Sequence, residues 1–231
     1  TYVENAFLFN ASMGQMLDKI YLGLNADINH HTYSEDVDSS SYTLITLKPY
    51  IEQRTQAYHY RLEVNLTTDI NQRESNLSIH PIALLQINVV DQVLVPYLGL
   101  EGGVENNAYR KVLLENYYIR PDQRVRNTNR RIVGYGGVMG HLSHHSSYNV
   151  RFSYALIDDM HFFINDTSNI LGNSFIPVYD DVRLTEALAE LKIRATEDLD
   201  FRLRGQYFAY ELEEQVEAWH MPSFQMQLNA Q

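Results

Sequence analysis

Long period-two alternation constrains this chain more than any other feature. In LDFRLRGQYFAYEL, residues 199–212, Leu199, Phe201, Leu203, Gly205, Tyr207 and Ala209 share one face of an extended strand, and Asp200, Arg202, Arg204 and Gln206 share the other. Successive strand side chains point to opposite sides, so the pattern specifies a β-strand with one apolar and one wet face. It recurs. KIYLGLNADINH sets Ile20, Leu22, Leu24, Ala26 and Ile28 against Tyr21, Gly23, Asn25, Asp27 and Asn29. YHYRLEVNLTTD sets Tyr58, Tyr60, Leu62, Val64 and Leu66 against His59, Arg61, Glu63, Asn65 and Thr67. SYNVRFSY and the terminal FQMQLNA alternate likewise, and EALAELKIRA, helical by composition, keeps the same period and reads as a strand.

The links between these runs have their own order. Short turns at 16–19, 54–57, 89–92, 143–147 and 196–199 alternate with longer polar connections at 31–40, 70–76, 105–128, 157–176 and 213–220. Tight turns on one rim and long loops on the other are the grammar of an up-and-down antiparallel barrel. About eleven strands of about 9–13 residues are expected, the length that suits a membrane crossing better than the ~5–6 residues of ordinary strands. The stretch NNAYRKVLLENYYIRP, 106–121, predicts a short helix in the longest loop, ending before Pro121. Pro49, Pro81 and Pro96 fall inside strand-like runs. Proline cannot donate a ladder hydrogen bond, so each is expected at an edge, a strand start or a bulge. The glycines of GYGGVMG, 134–140, have no helix after them and are expected to relieve crowding or allow curvature.

Composition narrows the function classes. A formal net charge of −11 argues against nucleic acid as a partner, since phosphates require a basic footprint. With no cysteine there is no thiolate chemistry and no cysteine-based metal or iron–sulfur site. No apolar run reaches the ~18 residues of a membrane helix. Tyrosine is heavily used, 17 residues against 1 tryptophan, and its apolar body with a polar tip suits interfaces, membrane girdles included. There is no phosphate-binding glycine loop and no nucleophile elbow, so no enzyme, catalytic residue or cofactor is expected.

Several groups are candidates for sites. Arg151, Lys192, Arg194, Arg202 and Arg204 fall on the wet faces of three consecutive strands, as Arg61 and Glu63 do on an earlier one. In a water-filled lumen they would either pair across strands with carboxylates such as Glu186 and Glu190, stiffening the wall, or form a strip that attracts anionic solutes. Tyr58 and Tyr60 follow a short turn and Trp219 precedes a strand, the places where an interfacial aromatic belt falls. The histidines His30, His31, His141, His144 and His145 read as solvated turn and strand residues rather than metal ligands, because no carboxylate shares their short segments. The acidic Glu35, Asp36 and Asp38, and the pairs Asp158–Asp159 and Asp180–Asp181, could hold Ca²⁺ but lack EF-hand spacing and read as solvated loops.

An alternating strand can cover a protein core or face lipid. Strand length and the alternation of link lengths favour lipid. The stretches NNAYRKVLLENYYI (106–119), FFINDT (162–167), VYDDVRL (178–184) and EAWHMPSF (217–224) occur in this order. Together they resemble Bacteroidetes-type outer-membrane β-barrels of the TonB-dependent receptor-like kind. The resemblance covers residues 106–231 and the hairpin grammar of the first half. It implies location in the bacterial outer membrane, surrounding lipid, passage or uptake of a small solute or nutrient, and a TonB-type energising complex as partner. The expected unit is one all-β barrel segment, residues 1–231, incomplete at both ends and without a plug domain. The alternative is a soluble β-rich binding module, carbohydrate-binding by its tyrosines.

Overall fold

The computed structural model describes residues 4–33, 41–71, 75–120, 125–168, 172–197 and 199–230. They form β1 (Glu4–Leu17), β2 (Ile20–Tyr33), β3 (Tyr42–Arg54), β4 (Tyr58–Asn71), β5 (Ser75–Ile87), β6 (Val95–Glu105), α1 (Tyr109–Glu115), β7 (Thr128–Ser143), β8 (Ser146–Asn165), β9 (Phe175–Thr196), β10 (Leu199–Leu212) and β11 (Phe224–Ala230). All 11 strands lie in a single sheet in sequence order, each antiparallel to the next. The turns explain why consecutive strands pair. Asp18 takes φ 55° in the two-residue link between β1 and β2, the left-handed conformation that lets a tight hairpin loop follow the strand twist.

The ladder registers sort the sheet into two unlike faces. On one, Leu85, Leu98, Gly136, Phe152, Ala187, Tyr207 and Phe224 are consecutive cross-strand partners, a row over seven strands with no charged residue. On the other, His59, Gln86, Tyr97, Gly137, Arg151, Leu188, Gln206 and Gln225 form the matching row. Burial is inverted relative to a soluble protein. Apolar Leu98 and Phe152 are 65% and 58% exposed, whereas polar Glu63, Asn65 and Thr67 are 8%, 6% and 2% exposed.

The sheet curls toward its polar face. There side chains reach past a neighbouring strand. Tyr97 of β6 donates to Asn149 of β8 (2.7 Å), His80 of β5 bonds Asn129 of β7 (2.8 Å), and Asn65 of β4 donates to the Gly102 carbonyl of β6 (3.1 Å). Strands two apart are too far separated in a flat sheet for such bonds, so the polar face is concave and the apolar face convex.

Pro49 and Pro81 are absorbed inside the sheet rather than at an edge, strand start or bulge, a correction to the sequence reading, while Pro96 stands at the start of β6 as expected. Pro49 pairs with Leu24 of β2, while the β3–β4 ladder skips from Leu47↔Leu66 to Tyr50↔Glu63. Pro81 pairs with Val64, and the β5–β6 ladder covers only Ala83–Gln86. Pro96 pairs with Val138 just outside that same ladder. Each proline sits where one side of its ladder lacks bonds, so its missing N–H leaves no acceptor stranded.

Two further expectations change at the long-link rim. The connection expected over 157–176 is largely strand, because β8 and β9 run on as a hairpin. A bulge between Ile157↔Val182 and Met160↔Asp180 breaks their alternation, with Asp159 at φ 52°. Past the bulge the hairpin is buried on both sides. Phe162 is wholly buried with Val182 and Leu184, and Phe163 packs with Tyr109, Val112 and Ile119. A run buried on both sides loses the period-two signal, which is why it reads as a link. The helix expected over 106–121 is only α1, whose C-terminal neighbour Asn116 is extended. The residues 34–40 and 72–74 in the first two long connections lie outside the described residues.

Candidate functional site

The concave polar face gathers the lumen candidates. Arg61, Glu63, Arg151, Lys192, Arg194, Arg202 and Arg204 all fall on it by register and parity.

On β2–β4 the charges are compensated. Tyr50 is the cross-strand partner of Gly23, and its ring lies where a side chain at Gly23 would be. Such a ring covering a strand glycine fills the gap left by the missing side chain. Arg61 rests on that ring, 3.8 Å from its centroid. Its Nε donates to Glu63 (3.0 Å) and its Nη1 to Glu52 (3.4 Å), and Glu52 also bonds His59 Nε2 (2.9 Å). A buried carboxylate is tolerated when paired and hydrogen-bonded, as Glu63 is.

The same device recurs on β6–β8 with less compensation. Tyr135 covers Gly99, its cross-strand partner, and Tyr97 covers Gly137. Arg151 rests 4.0 Å above Tyr135. Its carboxylate partner, Glu101, stands off at 3.9 Å, and its buried Nε has no hydrogen-bond partner among the described residues.

On β9–β10 the balance fails. Lys192 pairs with Glu190 (3.2 Å) and Arg194 with Asp200 (3.2 Å). Glu186, one of the two carboxylates offered as partners, instead accepts from Gln206 (2.8 Å). Arg202 and Arg204 have no ion pair among the described residues, and the buried Nε of Arg204 has no hydrogen-bond partner. Their cross-strand partners on β11 are Asn229 and Gln227.

Tyr58 and Tyr60 stack on the convex face beside the short turn (centroids 6.2 Å). Trp219 is partly exposed in the β10–β11 link at the opposite rim.

The acidic pairs hold the long-link rim together. Asp180, 4% exposed, accepts from the backbone amides of Asp181, Glu214 and Gln215, and so fastens the β10–β11 link. Asp158 meets Arg131 and Asp159 meets Arg126, each at 3.1 Å. In the link after β8, the Asp166 carboxyl is held below the usual carboxylate range by the hydroxyl and amide of Ser168, and then by Arg120. Glu35, Asp36 and Asp38 lie outside the described residues. Of the histidines, His31 bonds Glu4 (2.8 Å) and His30 bonds Thr43 (2.8 Å), on opposite faces, and His144 and His145 form the β7–β8 turn.

The loop carrying α1 crosses the concave face. Asn106 bonds His31 of β2 and Tyr42 of β3, and the Arg110 amide donates to Glu4 of β1 (2.9 Å). Beneath it the buried Asn107 donates to Thr128 (2.9 Å), and His161 bonds Glu115 (2.6 Å). The wall is therefore partly capped at its long-link end. Below that cap, hydroxyl, amide and charged groups face the concavity.

Sequence reading missed Tyr50, Tyr97, Tyr135, Glu52 and Glu101, which complete these clusters. Their signal is a register signal. A tyrosine opposite a glycine is visible only once strands are aligned.

No family model matches the chain, and no curated protein matches it. Solved structures do. The chain matches the copper transporter OprC with TM-score 0.58 at 11% identity, over 90% of this chain and 38% of that one. It matches the pyoverdine outer membrane receptor FpvA from Pseudomonas aeruginosa PAO1 with TM-score 0.59 at 8% identity, over 98% and 38%. It matches the alcaligin outer membrane receptor FauA from Bordetella pertussis with TM-score 0.53 at 11% identity, over 98% and 42%. The chain thus spans about two fifths of the length of these receptors. Its fold is that of part of an outer-membrane barrel of the TonB-dependent receptor type.

Proposed function

We propose that this chain is a segment of an outer-membrane β-barrel wall, lipid against its convex face and water in its concavity, serving passage or uptake of a small solute. The inverted burial of the two faces carries this reading. Soluble monomers rarely expose contiguous apolar patches beyond a few hundred Å², and here an uncharged row crosses seven strands. In lipid that face needs no further cover.

The strand count bears on closure. With 11 strands among the described residues, β1 and β11 run in the same direction, so two copies joined around one axis would meet in parallel pairs. Closing an all-antiparallel barrel needs an odd number of further strands, which gives the even total of bacterial barrels. On this reading residues 1–231 are one barrel segment incomplete at both ends, with any plug domain elsewhere. The short-turn rim faces the periplasm and the long links face outward. Tyr58, Tyr60 and Trp219 then stand near the two membrane interfaces, in surrounding outer-membrane lipid.

The likeness to metal and siderophore receptors, and the resemblance of 106–231 to Bacteroidetes-type barrels, support receptor-mediated uptake with a TonB-type complex as energy source. Envelopes carrying the intact protein are to be washed with urea and carbonate and the pellet run on gels, boiled and unboiled. Retention with a heat-dependent mobility shift is expected. Release into the wash would overturn the barrel reading and favour a soluble binding module.

A further inference from the structure

The cations of β9 and β10, with Arg202 lacking an ion pair among the described residues, form a site rather than a stretch of wall. Lys192 and Arg202 are direct cross-strand partners, and Arg204 lies two residues further along the same face. Directly opposed like charges destabilise a sheet pair. The β3–β4 sector shows the usual remedy, Arg61 directly opposite Glu52. Here Glu190 and Asp200 pair with Lys192 and Arg194, Glu190 also stands directly opposite Arg204 in the ladder, and among the described residues no carboxylate pairs with Arg202. Lys192, Arg194 and Arg202 also line a cavity of about 610 Å³ at the short-turn rim, together with Asp200, His144, His145 and Asn229, and Arg204 lies just beyond it.

We infer that this corner of the wall binds a phosphoryl group. Guanidinium groups present planar, paired donors that match phosphate oxygens, and an ammonium adds a compact charge. The cavity's two guanidinium groups, Arg194 and Arg202, together with Lys192 outnumber its one carboxylate, Asp200, and suit a doubly charged anion better than a single carboxylate. A bound phosphoryl group places negative charge beside Arg202, which faces Lys192 across the ladder and has no carboxylate partner among the described residues. The cavity also includes Ile193 and Phe201 from the apolar face, so it opens at the membrane edge as well as toward the concavity. A phosphorylated solute can reach it from one side and a phospholipid headgroup from the other.

The inference rests on the lumen reading for access of water to this face. Every sample is therefore also scored for heat-dependent gel mobility, which reports the barrel independently of the site. The intact protein in phosphatidylcholine nanodiscs is titrated with inorganic phosphate against chloride of equal ionic strength, with calorimetry and thermal unfolding as readouts. A second set of discs contains phosphatidylglycerol. Wild type is expected to bind phosphate and unfold at a higher temperature in its presence. Arg194→Gln with Arg202→Gln is expected to weaken binding about tenfold or more, the loss of two charge-assisted hydrogen bonds. Stabilisation by phosphatidylglycerol alone, abolished in the variant, assigns the site to a lipid headgroup. Wild type that keeps its mobility shift and responds to neither probe overturns the site whatever the variant does. So does a variant that unfolds earlier with no phosphate effect in either protein, since a carboxylate from elsewhere in the chain then already neutralises the cations.

Discussion

The β3–β4 and β9–β10 sectors of the same concave face solve the problem of a cation in a wall differently. Arg61 stacks on Tyr50 and is bonded by Glu63 and Glu52. Arg202 and Arg204 face only amides, a carboxylate engaged elsewhere and another cation across their ladders. Composition does not separate the two sectors, since both alternate charged and apolar residues. Register sets a carboxylate opposite Arg61 (Glu52) and opposite Arg204 (Glu190) alike, and the difference is that Glu190 is engaged by Lys192 and that Arg202 faces Lys192. The first sector is a satisfied structural network, and the second leaves Arg202 and Arg204 without an ion pair among the described residues.

The largest expected effect breaks the compensated side. Glu63→Ala leaves the Arg61 guanidinium in a half-buried site with only the longer bond to Glu52, and is expected to cost about 2–3 kcal/mol in urea unfolding of the intact protein. If the sectors differ as described, Arg202→Gln shifts the same midpoint little, within about 0.5 kcal/mol, or raises it. Equal losses would erase the distinction. A second test strikes the support rather than the charge. Gly99→Ala pushes a methyl group into the Tyr135 ring that carries Arg151, with an expected cost of about 1–3 kcal/mol from overpacking. Gly205, with nothing within 4 Å of the corresponding position, should accept alanine without that penalty. Unfolding midpoints of the two variants decide it.

The smallest effect lies outside both sectors and serves as their control. Asp166 has its folded pKa lowered, so its contribution is complete above the ordinary value of ~4 and is lost as pH falls through the lower folded value. Protease nicking of the link after β8 should rise below about pH 4, and Asp166→Asn should show at neutral pH the exposure that wild type shows only in acid. A wild-type link whose cleavage is flat with pH would remove Asp166 as its anchor.

Legibility in the sequence depends on whether the information is local. Strand parity is local, so the alternation alone places Arg61, Glu63, Arg151, Lys192, Arg194, Arg202 and Arg204 on the wet faces of their strands. Register across a tight turn is nearly local. The two-residue link after Leu17 sets Gly14 opposite Gly23 and Met16 opposite Tyr21. The Gly23–Tyr50 pair is hidden because its strands are joined through a connection whose reach the sequence does not specify. The β8–β9 extension is hidden for another reason. Its residues pack against α1 on one side and against the β7–β10 wall on the other, so its alternation does not report a single buried face.

The two-faced wall itself can be tested most directly because the chain has no cysteine. Single cysteines at Phe201, Arg202, Leu203 and Arg204 in the intact protein, spin-labelled in bilayers, can be probed with oxygen, which partitions into lipid, and with a water-soluble nickel chelate. Labels at Phe201 and Leu203 are expected to favour oxygen and those at Arg202 and Arg204 the chelate, alternating residue by residue. Equal chelate access at all four positions would contradict a lipid-facing convex side and return the sheet to a soluble setting.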